Sequence, residues 1–281
     1  MSIRTTVLCE NTVFGHAGAI AEHGWAVWLE TPAGNFLFDT GQGYGLLTNA
    51  ALFGIDLTTA NAILLSHHHF DHTGGLLNAL RTLNRQVPVY SHPDLFKDSY
   101  HQTEDEERPR HIGIPFTRNV LEAAGADFHL GRGWSEMGEG VWMTGEVPRD
   151  AAFVPADPAL KHVDTDGKLV PDPIMDDQTV VLETPEGLVV VLGCSHAGIV
   201  NILEYVARHT GRSRFHTVIG GTHLVAADDD QLTRTIKALQ RFDIGRLGVS
   251  HCTGQKATLH LANAFGERFF FCNVGRITVQ A

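Results

Sequence analysis

Short apolar runs, each closed by Gly, Pro, Asn or Asp, alternate along the chain with stretches of helical periodicity. Residues 3–9, 25–30 and 35–39 read as strands, the second and third meeting in a hairpin at Pro32-Ala33-Gly34-Asn35. Residues 43–53 read as helix and 62–66 as a short buried strand. Residues 76–83 form a helix entered through Thr73-Gly74-Gly75, and 87–90 another strand. The second half repeats the style. Residues 179–183 and 188–192 make a hairpin around Thr184-Pro185-Glu186-Gly187, followed by a helix at 197–209 and a strand at 217–219. A helix at 228–242 opens with acidic residues that suit its dipole. A strand at 247–249, a helix at 256–265 and strands at 268–271 and 276–279 close the sheet. Hairpins followed by strand–helix units, twice over, predict two sheets packed face to face with helices outside.

The middle breaks the pattern. Residues 93–175 are rich in Pro, Gly and charge and read as a loop-rich insertion in a single domain spanning 1–281. Long loops on a compact scaffold often serve as lids or substrate walls.

Composition narrows the function. Lys plus Arg is 21 against 32 Asp plus Glu, a net charge of −11 with no basic cluster, which argues against a protein that grips nucleic-acid phosphates. No apolar run is long enough for a membrane span, and the first residues lack the apolar stretch of a signal peptide. Cys9, Cys194, Cys252 and Cys272 form no C-x-x-C pair, so a reducing, cytoplasmic setting is expected. The 17 histidines invite a metal-site search.

That search ends at Ser66-His67-His68-His69-Phe70-Asp71-His72-Thr73-Gly74-Gly75, between a buried strand and a helix. Several metal-ligating side chains share one turn, and Asp71 adds a hard oxygen to the imidazoles. That mix suits Zn, Fe or Mn better than a thiolate-only structural site. His68 points away from its neighbours if the turn is extended, which places it on a pocket rim. His16, His23, Arg108, Arg110 and His111 lie on loops, as an anion-binding group or as solvated surface; Glu104-Asp105-Glu106-Glu107 reads as a solvated face.

His67-x-His69-x-Asp71-His72 resembles the His-x-His-x-Asp-His signature of the metallo-β-lactamase superfamily. Phe36-Leu37-Phe38-Asp39-Thr40-Gly41 resembles that family's early strand ending in Asp-Thr-Gly. Ala21-Glu22-His23-Gly24-Trp25, Gly193-Cys194-Ser195-His196-Ala197-Gly198, Gly220-Gly221-Thr222-His223-Leu224 and Ser250-His251-Cys252-Thr253-Gly254 look like one branch, the dihydropterin–ribofuranosylaminobenzene-phosphate synthases.

The resemblance implies an α/β fold, an αββα four-layer sandwich of two mixed sheets flanked by helices. It implies two divalent metal ions (Zn, Fe or Mn), one on His67 and His69 and one on Asp71, His72 and His251, with Asp39 supporting the loop from behind. Two positions depart from the family pattern. Cys194 stands where a bridging Asp is usual, and its thiolate or His196 is the expected ligand there. The third ligand of the first metal has no obvious match; Glu146 lies in the right order, and His223 is a further strand-end candidate for metal or substrate.

The expected activity is a metal-dependent hydrolase that uses a metal-bound hydroxide, its pKa lowered from about 15.7 towards 7, against a phosphoester or other small anionic substrate. Asp71 orients the nucleophile, and His196 or His223 protonates the leaving group. The alternatives are a pterin-pathway condensing transferase with a diphosphate leaving group and a metal-containing binding or signalling module with little turnover.

Overall fold

Strands whose neighbours are buried on both sides read as continuous apolar runs, and the alternation of their side chains builds two different cores at once. In Gly34–Phe38 and Ala60–Leu64, Phe36, Phe38, Ala62 and Leu64 face a core shared with a second sheet. Leu37, Ile63 and Leu65 face helices on the other side. Gly187–Val191 does the same from the opposite half: Val189 and Val191 point between the sheets, Leu188 and Val190 outward. The computed structural model, which describes residues 3–280, therefore stacks helices, sheet, sheet and helices, the four-layer α/β sandwich that the sequence predicts.

Each large sheet has seven strands and joins an antiparallel half to a parallel half. In the first, Ile3–Cys9, Ala26–Thr31 and Gly34–Phe38 run antiparallel, with Ile277–Gln280 on the outer edge. Gly34–Phe38, Ala60–Leu64, Val87–Ser91 and Ala126–Leu130 then run parallel. In the second, the hairpin Val180–Thr184/Gly187–Val191 leads into parallel Arg214–Gly221, Asp243–Ser250 and Phe269–Phe271.

The covering helices are amphipathic. Leu76–Leu83 buries Leu76, Ala79, Leu80 and Leu83, one stripe at helical spacing, and stops at Asn84 in the left-handed region. Ile199–Thr210, Asp229–Leu239 and Gln255–Phe265 cover the second sheet. None of the helices among the described residues is long and apolar enough to cross a membrane.

Residues 93–175 hold more regular structure than the loop-rich expectation. Ala126–Leu130 extends the first sheet, and Ser135–Gly138 and Val141–Met143 extend the second. Ser99–His101, Arg110–His111, Leu160–Val163 and Leu169–Pro171 form a separate four-stranded sheet. These strands are too short, and too interrupted by charge, for the alternation of faces to show in the sequence.

The small sheet docks on the histidine-rich loop. Phe70 packs against Ile112, Leu160 and Ile174, and its N–H donates to the Ile112 carbonyl at 2.9 Å. His68 is the second anchor. Its backbone N–H and Nδ1 lie 2.9 and 2.7 Å from Asp176 Oδ2, and its Nε2 lies 2.6 Å from Ser99 Oγ. His68 is thus fully buried structure, and the pocket-rim expectation is corrected. It does turn away from its neighbours, but the small sheet fills the space it turns into.

Candidate metal centre

Each cluster residue from the loops around Asp39, His67, Cys194, His223 and His251 sits at or just beyond the C-terminal end of a strand, where parallel sheets usually carry their sites. The chain must turn sharply there. Asp39, Ser195, His223 and His251 all adopt positive φ, between 49° and 62°. Such conformations cost about 1–3 kcal/mol each and persist only where the surroundings enforce them.

His67, His69 and His196 form the first donor set, with ligand atoms all within 4.8 Å of one another and all three residues buried. His67 Nε2 lies 3.1 Å from His69 Nδ1. The Ser66 hydroxyl donates to Asp39 Oδ2 at 2.7 Å, so it accepts from His67 Nδ1 at 2.8 Å. That fixes the tautomer and turns the Nε2 lone pair towards His69 Nδ1. His196 reaches the set because its backbone N–H donates to Asp177 Oδ2 at 2.7 Å and the turn passes through Ser195.

The second set lies around Asp71. Asp71 Oδ2 is 3.2 Å from both His251 Nε2 and His23 Nε2. His72 Nδ1 bonds Asp39 Oδ2 at 2.7 Å, which turns its Nε2 towards Cys194 Sγ, 3.1 Å away. His251 Nδ1 donates to Asn11 Oδ1 at 2.9 Å, and its backbone N–H to Glu10 Oε1 at 2.7 Å. Its Nε2 lone pair therefore confronts a carboxylate oxygen, a contact between two acceptors that needs a proton or a cation between them.

The residues fit divalent cations on two counts. The Nε2 atoms of His69 and His196 are buried without a hydrogen-bond partner, a costly state that a cation would relieve. The N/O donors also match Zn, Fe or Mn. Burial pushes the pKa values of His67 and His196 well below the ordinary histidine range, and that of His69 to about 3, so these imidazoles offer lone pairs. Burial would lower His72 as well, but Asp39 outweighs it and lifts the value to about 9. Burial would raise Asp71, yet hydrogen bonds from His23 and His251 hold its carboxyl well below the usual range. Burial raises Asp177 to about 7.

Glu146 is not brought to either set. Its Oε1 lies 2.9 Å from His92 Nε2 and also takes Arg132 Nη1, so the third-ligand expectation for it is corrected. The residue that the fold brings beside His67 and His69 is His196. His223 lies beside His196, ring centroids 4.2 Å apart, but its partners are Asp157 and Cys252. His16 leans on Phe53, while Arg108, Arg110 and His111 are exposed.

The sequence places His23 on a loop as an anion-binding or solvated group, whereas the fold sets its Nε2 3.2 Å from Asp71 Oδ2, and no sequence motif marks Asp177, Glu10 or Asn11. For His23 the signal is the Ala21-Glu22-His23-Gly24-Trp25 resemblance.

Gly193 shows how tightly the two halves meet. A Cβ there would lie 2.5 Å from Ser66 Cβ and 3.0 Å from Asp177 Oδ1. Gly193→Ala is therefore expected to lower stability by about 1–3 kcal/mol through overpacking and to weaken cation binding. Thermal denaturation and a metal titration check both effects; wild-type values in both would refute the close fit.

A family description, the metallo-beta-lactamase superfamily, matches residues 20–251. The 7,8-dihydropterin-6-methyl-4-(beta-D-ribofuranosyl)-aminobenzene-5'-phosphate synthase of Methanocaldococcus jannaschii is 30% identical over 283 residues, covering 98% of this chain and 96% of that protein. A solved structure described as a metal-dependent hydrolase of the beta-lactamase superfamily is 30% identical, covers 98% of both chains and superposes with a TM-score of 0.83. Human short-form tRNase Z, at 14% identity and 98% coverage of both chains, shares the fold with a TM-score of 0.53.

Proposed function

The chain belongs to the metallo-β-lactamase superfamily, and from that footing we propose that it is a metal-dependent hydrolase of a phosphoester or comparable small anionic substrate. The observation that supports this reading is the pair of adjacent donor sets, both built on the His67–His72 loop and completed from other loops, with the Nε2 atoms of His69 and His196 buried and unpartnered. His67, His69 and His196 would hold one divalent cation; Asp71, His72 and His251, with Cys194 at their edge, would hold a second. When bound, such a pair supplies Lewis acidity and lowers the pKa of water from about 15.7 towards 7.

The side chains divide the remaining work. Asp71, held ionised by His23 and His251, orients the water nucleophile and accepts its proton. His196 is moved by this reading from proton donor to cation holder. His23 takes over as donor to the leaving group: its side chain is 59% exposed, and its hydrogen bond to Asp71 keeps its pKa above the ordinary range. Asp39 and Asn11 hold His72 and His251 in register.

A chromogenic phosphodiester, a lactone and a thioester, each incubated with and without chelator, test the proposal. Turnover of the phosphodiester is expected, lost on chelation and restored by Zn, Fe or Mn. Absence of chelator-sensitive turnover with all three would overturn it.

One observation favours a second reading, the 30% identity to the archaeal synthase over nearly the full length of both chains. In that reading the cations hold a diphosphate leaving group while a pterin is joined to a ribofuranosylaminobenzene phosphate. Diphosphate released from a dihydropterin diphosphate only when the second substrate is present would decide for it.

A further inference from the structure

We propose that Cys194, Cys252 and His223 form a third metal-binding site, for one Zn2+ or another thiophilic cation, beside the two donor sets of the centre. Two sulfurs and one imidazole nitrogen offer ligand atoms all within 4.8 Å of one another. Of the other sets, one joins Cys194 to His67 and His72, and the rest are built from imidazoles and a carboxylate. A sulfur-rich set selects softer cations than they do.

The orientation of His223 carries the inference. Its Nε2 lies 3.2 Å from Asp157 Oδ2, the carboxylate–histidine arrangement that fixes which ring nitrogen is left to bind a metal. The other nitrogen, Nδ1, is buried and has no hydrogen-bond partner. His223 adopts φ of 49°, a conformation that costs energy and that the surrounding contacts maintain.

The neighbouring loops are shaped for the sulfurs. The backbone N–H of His223 donates to Cys252 Sγ at 3.3 Å. A Cβ on Gly221 would lie 2.6 Å from that sulfur, so only glycine admits it. Thr222 Oγ1 donates to Thr253 Oγ1 at 3.0 Å and ties the two strand ends together. Cys194 is the shared corner, since its sulfur also lies 3.1 Å from His72 Nε2. Three protein donors leave a fourth position for a water or a substrate atom, as in open zinc sites.

The test is a titration of reduced, metal-stripped protein with Cd2+ alone, followed by bound equivalents and by the ultraviolet sulfur-to-metal absorption. The wild type is expected to bind three equivalents. Cys252→Ser should bind two and lose most of the sulfur absorption, since both thiolate bonds of the third site go with its cation and only Cys194 can keep a contact beside His72. Asp157→Asn should keep all three but bind one of them roughly 10-fold more weakly. Its conservative change of a surface-reaching carboxylate guards against a folding artefact in the cysteine variant. Saturation of the wild type at two equivalents, or a Cys252→Ser protein unchanged in count and absorption, would overturn the proposal. A wild type that binds a single equivalent with full sulfur absorption would instead defeat the two-metal reading and leave the third site standing.

Discussion

His69→Ala is expected to empty the first donor set and to lower turnover at least about 1,000-fold, because loss of a catalytic cation forfeits several kcal/mol of transition-state stabilisation. His69 Nε2 is buried and unpartnered, and its Nδ1 meets only His67 Nε2, so the substitution removes a single contact within the donor set. The fold should therefore survive. His68→Ala, one residue away, should do the reverse: its bonds to Asp176 and Ser99 hold the small sheet, so stability falls while the number of bound cations stays the same. Metal content, thermal denaturation and turnover measured on both variants separate the two roles. Full activity in a metal-depleted His69→Ala protein would remove the basis of the proposed function.

Asp39→Asn is expected to have the larger structural effect. The Asp39 carboxylate accepts from the Ser66 backbone N–H, the Ser66 hydroxyl and His72 Nδ1, each at 2.7 Å, with no solvent exposure. An amide must turn a donor towards one of these donors. Breaking a buried charged pair from one side costs about 3–5 kcal/mol, so the melting temperature of metal-free protein should fall by roughly 10 °C. Cation affinity at the second set should fall about 10- to 100-fold as His72 loses its orientation.

The effect depends on pH in a defined direction. The folded pKa of His72 is raised to about 9, above the ordinary value of about 6.5. Its contribution is complete below pH 6.5 and is lost as pH rises through 9. The advantage of metal-free wild type over Asp39→Asn should shrink across that window. An advantage that grows with pH, or an unchanged melting temperature, would contradict the assigned role of Asp39.

What was legible in the sequence follows from how local each signal is. The loop carrying His67, His69, Asp71 and His72 could be read because its donors lie within one turn. The two large sheets could be read because their strands are buried on both faces and therefore uniformly apolar. His196 could be narrowed only to a choice. Its meeting with His67 and His69 depends on the docking of two sheets and on the turn at Ser195, which no linear spacing records. Asn11 and Glu10 position His251 from the far end of the chain, so nothing near His251 announces them. The small sheet escaped notice because its strands are short and its core is only Ile112, Leu160 and Ile174, with Phe70 borrowed from the loop it supports.

Both sheets contribute to each donor set: His67 and His69 come from loops of the first with His196 from the second, and His23 and Asp71 from the first with His251 from the second. A bound cation would thus be a cross-link between layers that meet through apolar packing and a few hydrogen bonds at this rim, such as those from His251 to Glu10 and Asn11. At a free concentration about 1,000 times the dissociation constant, such a ligand adds about 4 kcal/mol to the state in which both layers are in place. Cooperativity of unfolding then becomes a property of the cargo as well as of the chain. Loaded protein should exchange its amide hydrogens in both sheets at one common slow rate, while stripped protein should let the two layers open on separate timescales.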